Sequence, residues 1–171
     1  MPRLIRHRAI VEDRWTLLRD ATSLAEVPCA PAIIPLALWL ARPDVLPARG
    51  DIGVWLRPDD DPDLLAPDCP ALPLIAVDFP QFTDGRGYSI ARILRERHGF
   101  AGELRAFGDI GRDQLFYLRR VGFDAFRLAD HRDPQAALAS FGDFSLTYQG
   151  SVDDPQPLFR KRAAGGEQAR G

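Results

Sequence analysis

Between Leu74 and Leu128, three strongly apolar segments alternate with two amphipathic ones, and polar residues gather where the segments meet. Leu72–Val77 is continuously apolar, as a strand buried on both faces tends to be, and Leu104–Phe107 and Phe123–Leu128 repeat the signal. Between them, Ser89–His98 predicts a helix with Ile90, Ala91, Ile93 and Leu94 inward, and Arg92, Arg95, Glu96 and Arg97 outward. Gly99 is placed to end it. Gly111–Val121 predicts a second helix, with Asp109 as its cap, a stripe of Leu115, Leu118 and Val121, and Gly122 as its stop. Strand, helix, strand, helix, strand implies an α/β domain with a mostly parallel sheet and flanking helices. A partial βα barrel fits the same alternation, because 171 residues are too few for a full eight-fold barrel of about 250.

The flanking segments add detail. Leu4-Ile5 and Ile10-Val11 before Glu12-Asp13, followed by Trp15–Leu18, predict an antiparallel N-terminal edge hairpin around an acidic turn. Ile33–Leu40 reads equally as a buried strand or a helix, Asp44–Arg49 as a helical turn, and Ile52–Leu56 as a strand. Asp133-Pro134 opens a helix in the expected manner, and Phe144–Tyr148 predicts a last strand. From Ser151 the chain is rich in proline, charge and glycine, so residues 1–150 are expected to form one domain and 151–171 a disordered tail. The tail's Arg160-Lys161-Arg162 reads as solvated.

Charge narrows the partners. With 22 basic and 24 acidic side chains the net charge is −2, which offers no electrostatic reason to bind nucleic acid or an anionic membrane. Proteins or small molecules are the expected partners. Cys29 and Cys69 are isolated, cannot supply the four thiolates of an iron–sulfur cluster, and are expected to be buried or inert thiols. Met1–Trp15 lacks the apolar core of a signal peptide, and Ala30–Ala41 is too short to span a bilayer, so a cytoplasmic location is expected.

The polar junctions hold the candidate chemistry. In a parallel sheet, Asp78–Ser89 and Gly108–Gln114 leave the same edge, where open α/β folds bind ligands. Gly85-Arg86-Gly87 allows close backbone approach, and with Tyr88 and Ser89 it suits an anion. It completes neither a dinucleotide fingerprint, since Phe79–Asp84 intervene and Ile90 replaces the third glycine, nor a phosphate loop. Asp78, Asp84, Asp109 and Asp113 with Arg86 and Arg112 compose a mixed-charge group. The same residues also read structurally, Asp84-Gly85 as a turn, Asp109 as a cap, and Arg112 with Asp113 as a surface pair. Tyr88 reads as a proton donor or a hydrogen-bonded core tyrosine. Asp59, Asp60, Asp61 and Asp63 lack the glycine and terminal glutamate of a calcium loop and read as a solvated turn that starts a helix. His7, His98 and His131 are too dispersed for a metal motif, and Ser89 lacks a nucleophile elbow. No metal is expected, and no catalytic residue or cofactor is assigned.

Phe79–Ser89, Gly102–Ala106 with Gly108-Asp109, Asp113-Gln114-Leu115, Gly122–Phe126 and Thr147-Tyr148-Gln149 together resemble a bacterial family of unknown function. Its genes typically sit beside those for assimilatory sulfite reductase. The resemblance spans roughly Trp15 to Gln149, and its most specific block is Asp84–Ser89. It implies an accessory or oxidoreductase role in sulfite reduction, with sulfite reductase subunits as partners. It also implies an oxyanion or phosphate-bearing ligand near Arg86 and Arg112, or alternatively a non-catalytic docking role.

Overall fold

The computed structural model describes residues 2–41 and 49–139, and one eight-stranded sheet organises them. In chain order the strands are β1 (Arg3–Arg6), β2 (Ala9–Glu12), β3 (Thr16–Leu17), β4 (Ala32–Pro35), β5 (Ile52–Leu56), β6 (Leu74–Phe79), β7 (Glu103–Gly108) and β8 (Ala125–Leu128). The helices are α1 (Leu36–Ala41), α2 (Arg86–Arg92), α3 (Leu115–Arg120) and α4 (Pro134–Ala139). Across the sheet the order is β2-β1-β8-β7-β6-β5-β4-β3. Strands β3 to β8 are parallel, whereas β1 runs antiparallel to both β8 and β2.

The parallel strands lie side by side in sequence order, so the sheet has no point where the winding reverses. Successive right-handed crossovers therefore fall on one face, and the sheet curls into a half-barrel instead of opening into a doubly wound sandwich. The α/β architecture with an antiparallel N-terminal edge is as expected, and the partial barrel describes its curvature.

Alternation along the strands separates two faces. Ile34, Val54, Leu56, Ile75, Val77, Phe79, Leu104, Ala106 and Phe126 turn outward, where Trp39, Ile90, Leu94, Leu115, Leu118 and Ala137 from the helices close over them. Each large side chain removed from water there contributes about 1.5–3 kcal/mol. On the concave face Ile33, Trp55, Leu74, Ala76 and Phe107 form a smaller cluster, against which Trp15 and Leu17 pack. No helix covers that face among the described residues; instead Arg105 and Asp13 are buried on it, at 2% and 4% exposure.

Several local expectations need correction. The hairpin turn is His7-Arg8, both residues at positive φ (48° and 63°), while Glu12 ends β2 and Asp13 is buried. A two-residue turn with this backbone matches the twist of the strands it joins. Trp15–Leu18 is not the partner of β1: its Thr16-Leu17 pairs with β4 at the opposite edge of the sheet. Ile33–Leu40 satisfies both readings in turn, β4 passing directly into α1. Helix α2 begins earlier than predicted, at Arg86, and ends in a widened π turn over Ile93–Arg97, closed by Gly99 at φ 63°. That turn carries Arg95, expected in solvent, onto the carbonyls of Phe100, Gly102 and Gly122 and the Asp124 carboxylate. Helix α3 starts four residues late, at Leu115, and Asp109 does not cap it. Asp133 does cap α4, accepting from the amides of Gln135 and Ala136. The helical turn predicted at 44–49, apart from Arg49, the strand predicted at 144–148 and the tail lie outside the described residues.

Candidate functional site

The carboxyl ends of the six parallel strands meet at one edge of the half-barrel, and Arg19 stands among them. Three contacts fix it. Trp55 donates its indole N–H to the Leu18 carbonyl at 3.0 Å, the guanidinium lies 4.8 Å from the Phe107 ring centre, and it reaches both Asp78 oxygens at 3.2 and 3.4 Å. A guanidinium held over an aromatic face and against a carboxylate is oriented as well as charged.

Asp78 is the penultimate residue of β6, all six of whose residues are buried, and is 7% exposed. Burial pushes its carboxyl above the ordinary range, Arg19 and then Arg57 pull it back, and Asp84 adds a smaller push upward. The end of β7 is shaped to admit this carboxylate. Gly108 sits at φ 107°, and a Cβ there would lie 2.4 Å from the Phe79 carbonyl oxygen and 3.0 Å from Asp78 Oδ1. The following amide, Asp109 N–H, donates to the same Phe79 carbonyl at 2.7 Å.

Behind this edge, a chain of ion pairs crosses the concave face with alternating sign. Arg6 meets Glu103 at 3.2 Å, Glu103 meets Arg105 at 2.7 Å, Arg105 meets Asp13 at 2.9 Å, and Arg127 stands 3.9 Å from Asp13. Both Asp13 oxygens accept from Arg105, so Arg127 holds only the longest contact of the series.

Two concavities flank Arg19. One, about 260 Å³, is lined by Leu17, Arg19, Phe107, Arg127, Leu128 and Asp130 among others. The other, about 380 Å³, includes Arg19, Asp20, Thr22, Pro35, Leu38 and Arg57 in its walls.

Of the residues singled out from the sequence, Asp78 lies at this edge, and Asp84 is near enough to act on it electrostatically. The glycine loop has a different role from the expected one. Arg86 folds back on Asp84 with Nε and Nη2 at 3.0 and 2.7 Å, while its backbone N–H donates to the same carboxylate. These bonds hold the Asp84 carboxyl below its usual range. Gly87 is buried because the Phe79 ring packs where a Cβ would be, whereas Gly85 faces open space. Tyr88 is partly buried, packs edge-on to Phe79 and bonds Gln114, and burial raises its phenol above the ordinary value. Ser89, Arg112 and Asp113 are exposed. Asp109 pairs with Arg132 at 2.8 Å. The turn before α3 is closed by Gln114, which accepts from Gly111 N–H and donates to the Phe82 carbonyl, joining the two junction loops.

The acidic loop has local work. Asp60 accepts from Arg57 N–H, Asp61 from Asp63 N–H, and Asp63 holds Arg97 and His98 at 3.1 and 2.7 Å. Cys69 is buried, with its thiol pushed upward by burial, whereas Cys29 is exposed; neither is in a disulfide.

Arg19, Arg57, Arg105, Arg127 and Asp13 were not picked out from sequence. A signal was present for two of them: in Leu104-Arg105-Ala106-Phe107 and Ala125-Phe126-Arg127-Leu128 a charge interrupts an apolar strand at the position that faces away from the helices. Arg19, Arg57 and Asp13 lie in short connections with no such pattern.

Residues 53–159 match the family described as bacterial protein of unknown function (DUF934). The chain belongs to that family. The match begins within β5 and takes in both junction loops, and it agrees with the family of unknown function read from the Asp84–Ser89 block. DUF934 carries no named activity, and no curated protein and no solved structure matches the chain. No helix among the described residues is long and apolar enough to cross a membrane.

Proposed function

We propose that this DUF934 protein serves assimilatory sulfite reduction, as an accessory protein or oxidoreductase component that holds a small anion or other small molecule at the strand-end edge. The gathering of Arg19, Arg57 and Arg127 around two concavities at that edge supports the ligand site. The connection to sulfite reduction rests on the family resemblance, whose most specific block, Asp84–Ser89, spans the end of the first junction loop and the start of α2. The reading assigns no reaction and no catalytic residue. Asp78 and Asp109 remain part of the proposed ligand edge; Arg86, tied to Asp84, does not lead it.

A second reading, a non-catalytic docking or assembly partner of sulfite reductase, is favoured by two exposed aromatic side chains. Phe82 is 44% exposed in the first junction loop and Tyr117 is 52% exposed on α3. Aromatic groups of this kind are common anchors in protein interfaces.

The test is a pull-down of tagged protein from its own cells under sulfate-limited growth, read by mass spectrometry and by absorbance of the purified protein. Recovery of reductase subunits with no chromophore on the protein supports docking. A retained flavin or other chromophore supports an oxidoreductase component. Recovery of neither in sulfate-limited cells would refute the sulfite-reduction assignment.

A further inference from the structure

We infer that the 260 Å³ concavity between Arg19 and Arg127 is a binding site for a small molecule bearing one oxyanionic group, with those two guanidiniums as its receptors. It depends on a strand-end ligand site, as the proposed function does, but not on the pathway that supplies the ligand.

The charge arrangement carries the inference. The ion-pair series Arg6, Glu103, Arg105, Asp13, Arg127 contains three cations and two anions, and one of its two terminal cations, Arg127, lines the concavity. Asp13 is already held by two bonds from Arg105, so Arg127 at 3.9 Å contributes field more than a hydrogen bond to it. On the opposite wall Arg19 holds Asp78 by bonds of 3.2 and 3.4 Å, longer than is usual between charged partners. Arg57 also stabilises the Asp78 carboxylate through its charge, so Asp78 keeps a cation nearby if Arg19 turns toward a ligand. The charged lining is two arginines against one aspartate, Asp130, which is exposed.

Size and lining set the ligand class. A volume of 260 Å³ falls below the roughly 300–1,000 Å³ of pockets for drug-sized molecules and suits an inorganic oxyanion or a short carboxylate or sulfonate. Leu17, Phe107, Leu128 and Ala129 provide an apolar wall that tolerates a short hydrocarbon tail. With Asp130 at the same concavity, a single negative charge is matched better than two.

Isothermal titration of the full chain at low ionic strength with sulfite, sulfate, phosphate and acetate tests this, alongside Arg127→Gln, Ala129→Asp and Arg86→Gln. Saturable binding of at least one probe is expected in the parent protein. It should weaken about 10-fold or more in Arg127→Gln, which removes a charged donor, and in Ala129→Asp, which leaves both arginines and adds an acid to the lining. Arg86→Gln should bind like the parent. No saturable binding of any probe, or equal affinity in Arg127→Gln and the parent, overturns the site. If Arg127→Gln does not fold, equal affinity in Ala129→Asp overturns it instead. Binding of acetate without either sulfur oxyanion leaves the site standing and counts against a sulfur ligand, so the two ideas fail separately.

Discussion

Replacing Arg105 with methionine should be among the most destabilising single changes on the concave face. Arg105 is 2% exposed and bonded through all three nitrogens: Nε and Nη2 bond Glu103 at 2.8 and 2.7 Å, and Nη1 bonds Asp13 at 3.0 and 2.9 Å. Methionine fills much of the volume but leaves the Asp13 carboxylate, whose side chain is 0% exposed, with Arg127 at 3.9 Å and the Trp15 amide at 3.1 Å. Removing one partner of a buried pair costs about 3–5 kcal/mol, and Arg127 moves the expectation toward the lower figure. For a chain of this length that corresponds to a fall in melting temperature of about 6–12 °C. Replacing both partners, Arg105→Met with Asp13→Leu, should recover most of the loss, since the double change leaves no buried charge unpaired. Urea denaturation of the parent, both single variants and the double variant closes the cycle. A single-variant cost below about 1 kcal/mol, or a double variant no better than the sum of the singles, would refute the claim that this pair acts as a buried unit.

Other changes probe the site edge and its supports. Gly87→Ala should cost about 1–3 kcal/mol by forcing a Cβ to within 2.4 Å of the Phe79 ring, whereas Gly85→Ala, facing open space, should stay within about 0.5 kcal/mol; equal costs in urea melts would contradict the packing role of Gly87. Asp109→Ala should cost at most about 1 kcal/mol, because it breaks a part-exposed pair with Arg132 and no helix cap, and circular dichroism should show α3 unchanged. The Asp78 carboxyl is raised by burial, so its protonated form is favoured by folding. Its contribution to stability is fully present below the unfolded value and is lost as pH rises through the folded one. The stability of the parent relative to Asp78→Asn should therefore increase from about pH 7 to about pH 4, and a difference that is flat or reversed would show that Arg19 and Arg57 outweigh burial.

The alternation of apolar and polar segments from Leu74 to Leu128 determined the α/β class, three of the parallel strands and the two junction loops. Local patterns suffice for these because burial on both faces demands continuous apolar runs, and because proline and aspartate set the start of α4 whatever packs above it. The edge hairpin was legible as a pair of short strands, but not its turn: His7-Arg8 carries none of the usual glycine or asparagine, and its positive φ values are imposed by the β1–β2 register. Strand order was decided only in three dimensions. The same run of elements can wind both ways or one way, and one-way winding is what leaves the concave face without helices among the described residues. That face in turn explains Arg105 and Arg127, charges whose partner Asp13 lies more than ninety residues away. The site edge divides along the same line. Asp78 was legible because it follows an apolar run near a strand's C-terminal end, whereas Arg19 reaches it from the loop after β3, a two-residue strand added at the far edge of the sheet. Contacts so distant in sequence leave no local periodicity, and only the closing of the sheet brings them together.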